Sequence, residues 1–246
     1  MSNWVLTESR RLPFYRRGEK VFKTTLDNAV KKFISDNEGL PPDQLINRLD
    51  SIHLDKMKDD LIRMYMLVGN TFGEPVYSRL NKFLGGTFDD KWERSFLFYI
   101  ERNRFPLIKT VEDTLKGRLS KLISIGQSDG LGADQIADII TSARGLSALT
   151  QAQAIRIART EIVTASNFST QQAALSTGLS LTKEWVATGG SRTRADHALM
   201  DLAQVDLDKP FELPDGSLMD FPGDNSYGAP ANQVINCRCA SGYNTD

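Results

Sequence analysis

A change of hydrophobic period at Gly178 limits what this chain can fold into. Before that residue, apolar positions recur every three or four residues; after it, Leu181, Lys183 and Trp185 alternate and glycine or proline turns follow at short intervals. Helical and extended segments are therefore separated along the chain. The expected class is α+β: a mostly helical N-terminal region, about two thirds of the chain, and a small mixed α/β C-terminal module of short strands. Four parts are expected: a basic arm over 1–17, a helical domain over 18–130, connecting helices over 131–180 that include a long helix at 151–177, and the small module at 181–246.

Within the helical part, Val21, Phe22, Leu26, Ala29, Val30, Phe33 and Ile34 predict a helix from Gly18 to about Asn37, stopped by Glu38-Gly-Leu-Pro-Pro42. Pro42 suits a fresh helix start, and Leu54, Met57, Leu61, Met64, Tyr65 and Val68 trace one stripe as far as Gly69-Asn-Thr-Phe-Gly73. Helices at about 74–84, 90–104 and 106–125 are separated by Gly85-Gly86 and by Pro106, and a loop at 127–132 precedes a short helix carrying Ile136, Ile139 and Ile140. Thr150-Gln-Ala-Gln153 fits a capping box opening the alanine-rich long helix, and Gly178 fits its C-terminal cap. Arg159, Glu161 and Asn167 on that helix are expected to be structural, as a salt-bridged stripe or a docking contact with the C-terminal module. His53 has no cysteine or second histidine near it and enters no functional argument.

The charge is nearly balanced at −1, but residues 1–130 carry +4 and residues 131–246 carry −5. Coating of nucleic acid along the whole surface is excluded, because such binding needs many neutralised phosphates. Local DNA contact could fall to Arg10, Arg11, Arg16 and Arg17, which surround Phe14 and Tyr15; the alternative is a solvated arm that docks on a partner protein. Pro13 argues against a helix there. No apolar run reaches the roughly 18 residues of a membrane span, so no membrane partner is expected, and the N-terminus lacks the pattern of a secretory signal. Folding in a cytosol with reduced thiols follows, since two cysteines spaced C-x-C cannot build a disulfide framework.

Chemistry-bearing residues concentrate at the C-terminal end. A short helix beginning near Thr193-x-x-Asp196 would place Arg194, His197 and Asp201 on one face, where the Asp201 carboxylate could fix the imidazole tautomer. A strand over Ile235 to Ala240 would turn Cys237 and Cys239 to the same side. Together His197, Cys237 and Cys239 make three ligands suited to a structural zinc, with Asp196, Asp201 or water as the fourth; the competing reading is two buried, uncharged thiols. A Cys-His nucleophile and a metal-dependent hydrolase using His197, Asp196 and Asp201 can also be drawn. Neither has a specific motif behind it, so no catalytic residue is assigned.

The order Arg159-Thr-Glu161, Trp185, Arg192-Thr-Arg194, His197, Asp201, Pro214-Asp-Gly216, Phe221-Pro-Gly-Asp224 and Asn236-Cys-Arg-Cys239 resembles the minor head proteins of tailed bacteriophages, the Mu F-like or head morphogenesis family. The resemblance covers about residues 150 to 242, and it makes Trp185, Arg192, Arg194, Asp201 and Asn236 residues of a structural motif. It implies a low-copy, non-enzymatic component of the phage head, made in the host cytoplasm and placed at the portal vertex or capsid interior. Its partners would be the portal protein and the major capsid or scaffolding protein; the alternative function is a DNA-binding accessory at the portal that contacts packaged DNA through the basic arm. One departure stands out: the family pattern places glycine after the residue equivalent to Asp201, and here that residue is Leu202.

Overall fold

The computed structural model describes residues 3–81 and 91–245; the break expected at Gly85-Gly86 lies outside them. It is mostly helical, with small antiparallel sheets confined to the C-terminal part, as the change of period requires. Two helices of 34 residues, α1 (Asn3–Asp36) and α7 (Ala143–Ser176), and α3 (Asp55–Leu80) form the frame. Helix α7 packs against both of the others along most of its length. Short α2 (Pro42–Asn47), α4 (Lys91–Asn103), α5 (Phe105–Ser128) and α6 (Ala133–Thr141) close the sides. A continuous apolar core joins Phe22, Leu26 and Val30 of α1, Leu61, Tyr65 and Val68 of α3, Leu115 and Leu119 of α5, and Ala158, Ile162 and Phe168 of α7.

Several helix limits differ from the sequence expectation, each for a tertiary reason. Helix α1 runs through Pro13, although proline inside a helix costs about 3 kcal/mol. The surrounding turns are anchored: Arg11 is fully buried, and Phe14 meets Phe72 with ring centroids 5.9 Å apart. Helix α3 likewise continues through Gly69–Gly73 and Pro75 to Leu80. The missing N–H of Pro75 leaves the carbonyl four residues back unpaired, and Arg10 Nη2 donates to that oxygen, on Thr71, at 2.7 Å. Gly69 is required for close approach, because a Cβ there would lie 2.8 Å from the rings of Phe96 and Trp92. The segment after Pro42 is broken into α2 and a 3₁₀ turn at Leu49–Ser51 before α3 begins.

The long helix starts at Ala143 rather than at 151, because Ser142 supplies the cap: its Oγ accepts from the Gly145 amide at 3.0 Å. Thr150 and Gln153 lie inside the helix. Thr150 Oγ1 donates to the Leu146 carbonyl, and Gln153 Nε2 donates to the Val111 carbonyl at 2.9 Å. Gly178 adopts φ +66°, the left-handed position expected after the C-cap.

Beyond it, β1 (Leu181–Val186) is the centre of an antiparallel three-stranded sheet, flanked by β2 (Gln204–Asp206) and β5 (Ala240–Thr245). Trp185 lies opposite Ser241, and Lys183 lies between Val205 and Tyr243. The Pro214-Asp-Gly216 turn joins β3 (Phe211–Glu212) to β4 (Leu218–Met219), with Asp215 Oδ1 accepting from the Ser217 amide. Two short helices, α8 (Ala195–Leu199) and α9 (Ala231–Val234), complete the module. The expected strand over Ile235 to Ala240 is absent: the chain leaves α9 in a turn with Asn236 at φ +57°, and β5 begins only at Ala240. Among the described residues no helix is long and apolar enough to cross a membrane.

Candidate functional site

The motif residues form two connected layers, one joining α7 to the C-terminal module and one inside the module. In the first layer, Asn167 of α7 donates from Nδ2 to the carbonyls of Pro222 (2.7 Å) and Cys239 (3.0 Å). Its Oδ1 accepts from Arg11 Nη2 at 2.8 Å, while Arg11 also donates to Ser166 Oγ and to the carbonyls of Arg238 and Cys239. One guanidinium from α1 thus ties α7 to the segment that holds both cysteines. Thr160 Oγ1 accepts from the Asn236 amide at 3.0 Å, which holds that residue in its left-handed conformation.

Glu161 is also buried. Arg104, at the start of α5, makes a bidentate ion pair with it, and the Tyr65 hydroxyl donates to the same carboxylate at 2.9 Å. Arg104 continues to Asn225 Oδ1 at 3.0 Å, so this pair also reaches the module. Arg159 is exposed. Both alternatives left open for this helix are thus present: Thr160 and Asn167 dock directly on the module, and Glu161 is salt-bridged to Arg104.

The Phe221-Pro-Gly-Asp224 motif fits the same seam. Phe221 enters the aromatic cluster of Tyr99 and Phe168, and Pro222 offers its carbonyl to Asn167. Gly223, at φ +91°, comes so close to α7 that a Cβ would lie 3.1 Å from Thr164 Oγ1. Asp224 is fully buried, and its carboxylate accepts from the Tyr99 hydroxyl and from the amides of Asp220 and Ser226. Burial first, then the neighbouring Asp224, pushes the Tyr99 hydroxyl well above its ordinary pKa.

Inside the module, the ring of Trp185 stands edge-to-face against His197 (5.2 Å) and Phe211 (5.4 Å). The imidazole of His197, on α8, points Nδ1 at both thiols: Cys239 Sγ is 3.5 Å away and Cys237 Sγ 3.7 Å. All three residues are buried and all three donor atoms lie within 4.8 Å of one another. Convergence is reached without the expected strand, because the turn at Asn236 brings both sulfurs inward. A hydrogen bond to Cys239 and then burial push the Cys237 thiol up, whereas Cys239 is held down as the acceptor of that bond and by the His197 ring.

Asp201 does not orient the imidazole. Its Oδ1 accepts from the Ala187 amide at 2.8 Å, fixing the end of β1. The orienting group is Gln233 of α9, whose Oε1 lies 3.0 Å from His197 Nε2 and whose Nε2 donates to Asp196 at 2.7 Å and Asp215 at 2.6 Å. Gln233 and the Ser217 amide in turn hold the Asp215 carboxyl below its ordinary range. Among the described residues the cluster contains no carboxylate, so Asp196 and Asp201 are not placed as a fourth metal ligand. Sequence reasoning missed Gln233, since a lone glutamine at 36 residues' separation carries no local signal.

Of the remaining motif residues, Arg194 donates to the Ile235 carbonyl, and Arg192 is exposed. Thr193 does not cap α8; its hydroxyl pairs with Thr188 and accepts from the Gly190 amide. The basic arm is dispersed: Arg10 packs over Phe72, Arg11 is interior, and Arg16 and Arg17 are exposed. His53 is exposed.

No solved structure matches this chain. One curated protein similar to it is the NAD(+)--arginine ADP-ribosyltransferase EFV of Enterococcus faecalis (strain ATCC 700802 / V583), 35% identical over 92 residues. That stretch is 36% of this chain and 18% of the Enterococcus protein, so the chain spans less than a fifth of that relative's length. Residues 118–241 match the family described as Phage Mu protein F like protein. The matched span takes in the second half of α5, all of α6 and α7, and the module up to the first residues of β5. With half of its length inside the match, and the His197, Phe221–Asp224 and Asn236–Cys239 motifs within it, the chain belongs to the phage Mu protein F-like family of phage head proteins.

Proposed function

We propose that this chain is a minor capsid protein acting in head morphogenesis: a low-copy structural component of a tailed bacteriophage, associated with the portal and the head interior. Its location would be the virion, after assembly in the host cytoplasm. The observation that carries this reading is the internal satisfaction of the motif. Asn167, Glu161, Asp224, Asp201, Gln233 and Arg194 all close on other groups of the same chain, which suits a rigid assembly part better than a centre that must reach substrate. We assign no catalytic residue. The hydrolase reading loses its carboxylates, because Asp201 holds the Ala187 amide and Asp196 accepts from Gln233.

The portal protein and the major capsid or scaffolding protein are the partners this reading requires. DNA contact would fall to Arg16 and Arg17, since Arg10 and Arg11 already have internal partners. The activity named for the Enterococcus relative is not carried over, because the shared stretch is 18% of that protein. Quantitative mass spectrometry of purified proheads and mature virions tests the proposal. The expected result is a few copies per particle, far below the coat protein; absence from both particles would overturn it.

A further inference from the structure

The arrangement around His197 is that of a coordination sphere with its supporting hydrogen bonds already in place. Two carboxylates, Asp196 and Asp215, accept from the Gln233 amide nitrogen, which leaves the amide oxygen facing the imidazole. That oxygen can only accept, so His197 Nε2 carries the proton and donates to it. Nδ1 then faces two sulfurs, 3.5 and 3.7 Å away. Hydrogen bonds alone would join the three groups as a relay through Cys239; three soft donor atoms buried within 4.8 Å of one another also meet the requirement of a shared metal centre. With Zn–S of about 2.3 Å and Zn–N of about 2.0–2.1 Å at a tetrahedral angle, sulfur and nitrogen ligands stand about 3.6 Å apart. The observed separations match that edge.

We propose that His197 Nδ1, Cys237 Sγ and Cys239 Sγ bind one zinc ion, with Gln233, Asp196 and Asp215 as the hydrogen-bonded support that orients the imidazole. Binding releases the thiol protons, and no electrons are transferred. The role is structural: the three residues are at most 2% exposed, and the ion would join α8 to the segment that opens β5. Such burial means that the metal enters as the module closes. The soft N and S donor set favours zinc over magnesium or calcium.

The test begins with the unaltered full chain, purified without chelators or metal-affinity steps and analysed by plasma mass spectrometry. A single zinc per chain, retained through gel filtration and released by a mercurial titrating both thiols, is the expected result. Chain refolded with cobalt(II) should show sulfur-to-metal charge transfer and intense tetrahedral bands, lost in Cys237→Ser and Cys239→Ser. Because those variants can fail to fold, Gln233→Ala is measured as well; it keeps every donor atom yet should weaken metal retention about 10–100-fold against a competing chelator. A folded, metal-free native protein with two free thiols, a Cys237–Cys239 disulfide, or a cobalt spectrum without sulfur charge transfer would each overturn the proposal.

Discussion

Arg11 shows how far a side chain's role can depart from its local composition. In the sequence it belongs to a run of four arginines beside two aromatics; in the fold it is wholly interior and donates to Ser166, Asn167 and two carbonyls of the Cys237–Cys239 segment. Replacing it with alanine strands those acceptors in a dry seam, so Arg11→Ala should lower stability by about 2–4 kcal/mol, whereas exposed Arg16→Ala should change it by less than about 0.5 kcal/mol. Urea denaturation of both variants makes the comparison. Leu202 gives a second residue-scale case. Its φ of +64° lies in the left-handed region that favours glycine, and its backbone amide donates to the Trp185 carbonyl at 2.8 Å. A side chain in the left-handed region costs about 1–2 kcal/mol, of which glycine's extra freedom when unfolded returns about 0.5–1. Leu202→Gly should therefore raise stability by up to about 1 kcal/mol, read from the same denaturation curves.

At the level of elements, the periodicity of α5 and α6 and the alternation in β1 could be read almost directly, because each depends on a single buried face. The ends of α1, α3 and α7 could not. Pro13 and Pro75 are local stop signals overridden by Arg11 and Arg10, whose partners lie elsewhere in the chain, and Thr150 loses its capping role once Ser142 takes it. The C-terminal strand was misplaced for a similar reason: Thr160, 76 residues away, stabilises the turn at Asn236. Gly69 tests how tightly the frame is packed. Adding one methyl group there drives it into Phe96 and Trp92, so Gly69→Ala should cost about 1–3 kcal/mol in thermal unfolding, despite alanine's better helix propensity. An unchanged or higher midpoint would mean that α4 can move away from α3 without loss.

For the molecule as a whole, the convergence of His197, Cys237 and Cys239 was legible from residue type alone, but the seam that positions them was not, since it draws on α1, α5 and α7. The seam also fixes the alkaline limit of stability. Tyr65, Tyr99 and Tyr243 all have pKa values raised first by burial, and Glu161 and Asp224 reinforce this at Tyr65 and Tyr99. In the unfolded chain these hydroxyls ionise near pH 10, while the folded chain keeps its protons. Their contribution is thus complete below about pH 10 and is lost as the pH rises beyond it. In a chain carrying Tyr77→Phe and Tyr227→Phe, which removes the accessible hydroxyls, phenolate absorbance should rise together with loss of helical circular dichroism; phenolate formation while that chain stays folded would contradict the burial of these rings.

The separation of 227 and 228 residues between Arg11 and the carbonyls it grips has a temporal meaning. During translation the first helix leaves the ribosome long before those two carbonyls exist, so its guanidinium has only Ser166 and Asn167 of α7 to grip until the closing strand emerges. A polypeptide released early would leave that cationic group short of two acceptors and its α7 seam uncovered, and so open to proteolysis. Only a chain made through β5 can close that seam.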